Sequence, residues 1–357
     1  MILEHKLQLA AAVFTAAVTV GVGGLLMFDR DFHSYAVSRG QVRDEEAYSI
    51  MGFLRDSTEE TVIAGKPVET NRMKGHDFAM ELPVETDFSG IKYETDVMAR
   101  TFTFMVPGIE SNYFSDYTIA GKSDGITDMR YASRGGYGTI EIVFDKVREV
   151  KHVIDGHYLY LDFVSPHDVY DKVVVLDAGH GGQDPGAMSA SGVLEKDINL
   201  AIMLKVKDLL EADTAHNIGV YCTRTEDTFP SLQERAALAN ESACDLFLSV
   251  HNNSTASGRT SSINGTAVMY RTGDETGASK AFAECVHSHL LAALGSTDKG
   301  LVAGDEIYIV RTSEHPVALA EIGFMTNAEE LQKLSDDGYQ EKAAQAMYDA
   351  IMETLGY

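Results

Sequence analysis

Hydrophobic and polar positions divide the chain into three stretches with different patterns. The first is an uncharged apolar run at residues 7–28, LQLAAAVFTAAVTVGVGGLLMF. Between residues 78 and 164, short alternating or aromatic-rich runs are broken by Gly, Asp and Asn: FAMEL, TFTFMV, GTIEIVF and HYLYLDFV. From about residue 170 onward, apolar strand-like runs alternate with stretches of helical periodicity. The chain is therefore expected to contain a membrane-length segment, a β-rich domain and an α/β domain.

The third stretch predicts most of the ordered structure. Its expected strands are VVVLD, IGVYCT, DLFLSV, GTAVMY, EIYIV and PVALAEI, and its expected helices lie near residues 198–211, 232–240, 278–294 and 339–355. Alternating strands and helices predict an α/β fold with a mostly parallel central sheet flanked by helices, and the preceding runs predict a small all-β, sandwich-like domain. The expected limits are an N-terminal transmembrane helix at 1–29, a linker of uncertain structure at 30–77, the β-rich domain at 78–168 and the α/β domain at 169–357.

The apolar run at residues 7–28 is long enough to cross the hydrocarbon core of a bilayer, which takes roughly 20 residues. It stays apolar to its end, whereas a cleaved signal has a shorter apolar core and a small-residue exit. We therefore expect a single-pass anchor in the cell membrane with the rest of the chain outside. The alternative is a signal peptide whose cleavage secretes the protein.

Charge and motif content exclude two classes of partner. The formal net charge is -25, so a nucleic-acid backbone would be repelled. The glycine-rich segment DAGHGGQDPGA has neither the P-loop nor the dinucleotide-binding spacing, so no nucleotide is expected. The three cysteines form no Cys-x-x-Cys pair, which argues against a structural zinc knuckle.

Four residues that bear reactive groups fall where neighbouring strands end. His180 follows VVVLDAG, His251 follows DLFLSV and Glu321 follows PVALA, while Glu195 shares the first loop with His180. The carboxyl ends of parallel strands meet at one rim, so two imidazoles and two carboxylates should converge there. Such a set suits catalytic zinc: three ligands of the His, His, Glu type leave a position for water, and the remaining carboxylate can act as a base.

Three further residues are candidates for supporting the site. Asn199 and Asn253 could orient the ligands, because a ligating histidine normally donates its other N–H to a nearby acceptor. Arg224 follows a strand and could either hold a substrate carboxylate or pair with carboxylates of the loops. His287 and His289 share a helix, but their spacing puts them on different faces, so they are poor ligands for one metal.

Several segments together resemble a known family, the zinc-dependent N-acetylmuramoyl-L-alanine amidases of the Amidase_3 type. The segments, in the order of the family, are VVVLDAGHGGQDPGA, GVLEKDINL, YCTRTEDTFPSLQERAALAN, LFLSVHNN and ALAEIGFMTN. The resemblance covers about residues 172–356. It implies that His180, Glu195 and His251 bind Zn²⁺, that Glu321 is the catalytic base, and that the substrate is the amide bond between N-acetylmuramic acid and L-alanine in bacterial peptidoglycan.

Other interpretations stay open. The same metal chemistry would serve a zinc peptidase, and an inactive amidase domain could act as a membrane-tethered wall-binding protein, although the four intact residues disfavour it. The β-rich stretch is similar in pattern to the AMIN domain often attached to these amidases; it would bind cell wall or serve as a spacer. Residues 252–264 are rich in Ser, Thr, Gly and Asn, and the stretch up to Glu321 leaves no room for the additional helix that blocks the site in some relatives, so an uncovered site is expected.

Overall fold

The computed structural model describes residues 48–49, 61–64, 74–109, 119–121 and 124–357. The apolar run at residues 7–28, predicted as a membrane anchor, lies outside these residues. Within the described part of the chain, no helix combines the length and the apolar composition that a membrane crossing requires.

Ten short strands before residue 165 form two antiparallel sheets of five strands each, in the orders β1-β7-β8-β5-β4 and β2-β6-β3-β10-β9. The strands are β1 Tyr48–Ser49, β2 Thr61–Ala64, β3 Phe78–Glu81, β4 Lys92–Asp96, β5 Thr101–Pro107, β6 Ile119–Gly121, β7 Ile126–Arg134, β8 Tyr137–Phe144, β9 Glu149–Asp155 and β10 Tyr158–Val164. Two of them, β1 and β2, lie in the stretch predicted to be a linker, so that stretch contributes to both sheets.

The two sheets share one hydrophobic core. In β5 alternate residues are buried, and Phe102, Phe104 and Val106 point inward because successive side chains of a strand lie on opposite faces. They pack with Phe78 and Met80 from the other sheet. This is a sandwich-like arrangement. The proposed domain limits at residues 78 and 169 stay predictions.

The second half of the chain forms a six-stranded sheet in the order β12-β11-β13-β16-β14-β15. Its strands are β11 Lys172–Ala178, β12 Ile218–Cys222, β13 Leu246–Asn253, β14 Thr266–Tyr270, β15 Asp298–Ala303 and β16 Val317–Phe324. All neighbours are parallel except β14 and β16, which are antiparallel. The prediction of a mostly parallel sheet is confirmed, whereas β15 was not predicted.

Helices cover both faces of this sheet, as expected for strands that are apolar on both sides. They are α1 Glu195–Ala212, α2 Leu232–Glu241, α3 Ala278–Leu294, α4 Tyr308–Thr312, α5 Ala328–Leu334 and α6 Asp337–Leu355. One face of the sheet, which includes Val174, packs against α1, α3 and α6, and the other face, which includes Val173, packs against α2 and α4. The prediction of a strand at EIYIV is wrong, because Ile309 and Val310 instead bury one side of α4.

Contacts also join the β-rich part to the α/β part. Val147, in the turn between β8 and β9, is 2% exposed and belongs to the same hydrophobic cluster as Val173 and Phe247 of the central sheet. Arg100 donates a hydrogen bond from Nη2 to Glu241 Oε1 at 2.6 Å. The β-rich part therefore stabilises the face of the sheet that carries α2.

The buried contact of Val147 predicts a specific loss of stability. Val147→Ala should lower the free energy of unfolding by about 2 kcal/mol, since it removes two buried methyl groups at about 0.8 kcal/mol each. Val84→Ala is the matched control, because Val84 is 73% exposed and its truncation should change stability by less than about 0.5 kcal/mol. Urea denaturation of both variants measures the difference. Equal stabilities would show that Val147 does not connect the two parts.

Candidate metal centre

Glu195 is the first residue of α1, and its carboxylate lies at the centre of the site. The residue is only 4% exposed. Its Oε2 atom accepts a hydrogen bond from the backbone N–H of Ala187 at 2.8 Å, and Oε1 accepts one from the N–H of Asn252 at 3.1 Å. A carboxylate at a helix N-terminus is also favoured by the macrodipole. These contacts fix Oε1 and Oε2 in one orientation.

His180 reaches Glu195 from the loop after β11, and an unusual backbone conformation directs it there. Its φ is 61°, in the left-handed region that non-glycine residues rarely adopt. Its Nε2 lies 3.3 Å from Glu195 Oε1, while Nδ1 hydrogen-bonds with Asp184 Oδ2 at 2.7 Å. Asp184 therefore orients the ring and leaves Nε2 to face the carboxylate.

His251 completes the group from the end of β13. Its Nδ1 lies 3.1 Å from Glu195 Oε1, and its ring meets that of His180 edge-on, with centroids 4.8 Å apart. The approach requires a glycine at position 179, because a Cβ there would lie 2.1 Å from two atoms of the His251 ring. One ligand atom from each of His180, Glu195 and His251 lies within 4.8 Å of the other two. The structure thus brings together the three predicted metal ligands.

The pKa values of Glu195 and His180 indicate that this site favours a positive charge. Burial opposes the ionisation of Glu195, but hydrogen bonds and charge interactions with His180 and His251 outweigh it and hold the pKa of Glu195 well below its ordinary value. Burial likewise opposes protonation of His180, yet Glu195 and Asp184 outweigh it and raise the pKa of His180 to about 9. A buried carboxylate between two imidazoles needs a cation, and a proton or a divalent metal can serve.

The donor set is compatible with zinc. Two imidazole nitrogens and one carboxylate oxygen are the ligands of a catalytic zinc site with an open fourth position, whereas Ca²⁺ and Mg²⁺ prefer oxygen ligands alone. The second nitrogen of His180 already has an acidic hydrogen-bond partner in Asp184, as ligating histidines normally do.

Glu321 faces the same rim from β16, directly across the ladder from His251. Its Oε2 atom is buried and has no hydrogen-bond partner. Burial is the main cause that raises the pKa of Glu321 to about 7, and His251 opposes this rise by charge. An unpartnered carboxylate oxygen beside two imidazoles is suited to accept a proton near neutral pH.

A buried ion pair beneath the site holds the His180 loop in place. Asp177 at the end of β11 is fully buried and accepts hydrogen bonds from Arg235 Nη1 at 2.5 Å and from the hydroxyl groups of Thr223 and Ser249, each at 2.6 Å. The guanidinium of Arg235 also donates to the carbonyl of His180 at 2.7 Å. Arginine suits this position, because its planar fork can bind the carboxylate and a backbone carbonyl at the same time.

The start of α2 positions Arg235. Ser231 and Glu234 form a capping box in which the Ser231 N–H donates to Glu234 Oε2 at 2.7 Å and the Glu234 N–H donates to Ser231 Oγ at 3.2 Å. This cap sets where the helix begins, and Arg235 in the first turn then points inward with an exposure of 2%. The sequence did not reveal Asp177 as the partner of Arg235.

The predicted supporting residues have different outcomes. Arg224 is buried and donates to backbone carbonyls only, those of Ala178, Gly179, Lys196 and Glu226. These hydrogen bonds do not include a loop carboxylate, and a contact with a substrate carboxylate stays a prediction. Asn199 lies in the site, where its Nδ2 atom donates to Glu195 Oε1 at 3.2 Å.

Asn253 does not contact the predicted ligands through its side chain. Its Oδ1 accepts the N–H of Ser254 at 2.8 Å, and the neighbouring residue Asn252 donates to Asn199 Oδ1 at 2.8 Å instead. The ladder between β13 and β16 is irregular between His251 and Asn253, and such irregularities can redirect side chains. The side-chain amide next to Asn199 is therefore that of Asn252, not that of Asn253.

The loop after β13 leaves one side of the site without a helical cover. Residues 254–265, all of which the structure describes, contain no helix. They follow the strand end that carries His251 and precede β14, whose Ala267 pairs with Glu321.

Comparison with curated proteins finds relatives of the α/β half. The N-acetylmuramoyl-L-alanine amidase LytC of Bacillus subtilis (strain 168) is 40% identical over 184 residues, an alignment that covers 52% of this chain and 36% of LytC. The germination-specific N-acetylmuramoyl-L-alanine amidase of the same organism is 30% identical, with 51% of this chain and 78% of the relative covered. The uncharacterized protein YqiI, also from that organism, is 38% identical over 180 residues, which are 50% of this chain and 83% of YqiI.

A solved structure and a family model match the same region. The catalytic domain of the N-acetylmuramoyl-L-alanine amidase CwlV from Bacillus (Paenibacillus) polymyxa var. colistinus is 38% identical, covers 52% of this chain and 98% of that chain, and has a TM-score of 0.48. The model of the Amidase_3 family, described as N-acetylmuramoyl-L-alanine amidase, matches residues 174–353. Because that match takes in half of the chain and contains all four residues of the site, the chain belongs to the Amidase_3 family of N-acetylmuramoyl-L-alanine amidases.

Proposed function

We propose that this chain is a zinc-dependent cell-wall hydrolase that cleaves the amide bond between N-acetylmuramic acid and L-alanine in peptidoglycan. The observation that carries the proposal is the convergence of His180 Nε2 and His251 Nδ1 on one carboxylate oxygen of Glu195, at 3.3 and 3.1 Å. Family membership supports the choice of substrate.

In this proposal His180, Glu195 and His251 hold the metal. When bound, zinc would polarise the scissile carbonyl and make a water molecule nucleophilic near neutral pH. The contribution of the chain is rigidity: Asp184 and the backbone N–H groups that bind Glu195 keep the ligand atoms in position before the metal arrives. Ligands that are already oriented lose little conformational entropy on binding.

Glu321 acts as the general base and then as the general acid. It accepts the proton of the attacking water at its unpartnered Oε2 and passes it to the leaving nitrogen of L-alanine, so that the carboxylate is regenerated. Its pKa of about 7 suits both steps, since the group is readily protonated and deprotonated at the working pH.

The remaining parts of the proposal concern location. Peptidoglycan lies outside the cytoplasmic membrane, and the apolar run at residues 7–28 has the length of an uncleaved anchor. We infer a single-pass protein whose β-rich and catalytic parts both lie outside the membrane. The β-rich part, AMIN-like in its strand pattern, serves either as a spacer or as a second contact with the wall.

Product analysis tests the reaction. Incubation of the full-length protein with purified peptidoglycan and zinc should release stem peptides that begin with a free L-alanine amino group and leave glycan strands with unsubstituted lactyl groups. Mass spectrometry of the soluble and insoluble fractions measures both products. His180→Ala is the inactive control, because it removes a proposed zinc ligand.

Two other product patterns would contradict the proposal. New amino groups on residues further along the stem peptide would identify a zinc peptidase. Binding to peptidoglycan without any cleavage, by a protein loaded with zinc, would identify a wall-binding protein.

The two glutamates of the site should be separable by substitution. Glu321→Gln should retain zinc and lower the rate by roughly 100-fold to 10,000-fold, because glutamine has nearly the same shape but cannot accept a proton. Glu195→Gln should lose the zinc of this centre as well as activity, because a neutral amide is a poorer ligand than a carboxylate. Metal analysis after dialysis, together with the rate of L-alanine amino-group release, distinguishes the two effects.

Glu314→Gln provides the matched control, since this side chain is exposed and lies away from the rim. It should retain both zinc and activity. If Glu321→Gln lost its zinc while Glu195→Gln kept it, the proposed roles of the two glutamates would have to be exchanged.

Cell fractionation tests the anchor. The intact chain should be recovered in the membrane fraction. Protease added to protoplasts, from which the cell wall has been removed, should degrade the part of the chain beyond residue 29. Deletion of residues 7–28 should abolish membrane association. A mature chain that begins near residue 29 and appears in the culture medium would show instead that the segment is a cleaved signal.

A further inference from the structure

A second group of metal-binding side chains lies in the helical layer, on elements that contribute nothing to the site described above. Cys285 and His289 belong to α3, and Glu353 belongs to α6. One ligand atom from each lies within 4.8 Å of the other two. Among the described residues, this is the second of two such groups.

Helix geometry accounts for two of the three contacts. Residues four positions apart lie on the same face of an α-helix, so Cys285 and His289 can approach one cation from α3. Helix α6 packs beside α3, and Glu353 Oε2 lies 2.9 Å from His289 Nε2. The three side chains therefore converge from two helices rather than from one flexible loop.

In this group of three residues the cysteine sulfur is packed against the protein interior, whereas the other two side chains are accessible to solvent. Cys285 is half-buried, packs against the main hydrophobic cluster, and places Sγ 3.5 Å from the carbonyl oxygen of Ala350. The side chain of His289 is 30% exposed and that of Glu353 is 69% exposed. A cation can thus enter from the solvent side and keep a water molecule as its fourth ligand.

We propose that Cys285, His289 and Glu353 form a second zinc site, which connects α3 to the C-terminal helix α6. Sulfur, nitrogen and oxygen donors together are typical of zinc and are avoided by Ca²⁺ and Mg²⁺. Binding forms a bond from the metal to Cys285 Sγ and releases the thiol proton to solvent. The thiolate and the carboxylate then neutralise the two positive charges of the ion.

The proposal does not depend on the amidase activity, because none of the three residues takes part in it. The role of the second zinc site would be to hold the end of α6 against α3. Zinc should therefore stabilise the fold through this site even in a protein whose catalytic ligands have been removed.

Cobalt substitution tests the site directly, since Co²⁺ bound to a thiolate has a charge-transfer absorption in the near ultraviolet that nitrogen and oxygen ligands do not give. The full-length protein and the His180→Ala variant should both show this band. Cys285→Ser should lose it, whereas Cys222→Ala should retain it as the matched control for another half-buried thiol.

Zinc stoichiometry by equilibrium dialysis gives an independent measurement. The wild-type chain should bind about two zinc ions, and Cys285→Ser and His289→Ala should each bind about one, with unchanged amidase activity. His180→Ala should also bind about one, held at the second site. The proposal is overturned if Co²⁺ gives no thiolate band in the wild-type protein, or if Cys285→Ser binds as much zinc as the wild type.

Discussion

The arrangement of the site depends on one buried carboxylate. Glu195 is 4% exposed, and a charge at that depth is unfavourable unless hydrogen-bond donors or a cation surround it. His180, His251 and two backbone N–H groups meet this requirement. The same contacts make the group a receptor for a cation, because each imidazole can present a lone pair to an ion beside the carboxylate.

A buried ion pair holds the loop that carries His180 in the conformation that the site requires. Asp177 and Arg235 lie below the rim, and Arg235 binds the carbonyl of His180 while Arg224 binds that of Gly179. His180 has a left-handed backbone conformation, which costs about 1–3 kcal/mol and persists only where surrounding contacts impose it. Burial opposes the ionisation of Asp177, but Arg235 and two hydroxyl groups outweigh it and keep the pKa of Asp177 below its ordinary value. The strain in the loop is thus offset by a charged network that water does not reach.

Much of this could be predicted from the sequence, because strand ends and their neighbours follow simple rules. His180, His251 and Glu321 were expected at one rim since parallel strands end there together, and Glu195 was expected to reach the same point from the loop. The structure brings these four residues to that rim.

The predictions that differ from the structure do so for physical reasons. The side chain of Asn252, rather than that of Asn253, binds Asn199 beside the site. The ladder is irregular after His251, and residue alternation alone does not reveal such a shift. The short apolar run that ends at Val310 was predicted as a strand but forms part of a helix. A run of four or five apolar residues does not distinguish a strand from a helix. Strand β15, with the sequence DKGLVA, is polar at its start and lacked a strand signal. Asp177 was missed because its role depends on a partner that is distant in the sequence, Arg235.

The central claim is that His180, Glu195 and His251 bind one zinc ion. X-ray absorption at the zinc edge tests it most directly, on full-length Cys285→Ser protein so that only this centre contributes. The account predicts two imidazole nitrogens and carboxylate or water oxygens at about 2.0–2.2 Å, with the imidazole scattering halved in the His251→Ala variant. A spectrum without imidazole scattering, or one unchanged by His251→Ala, would contradict it.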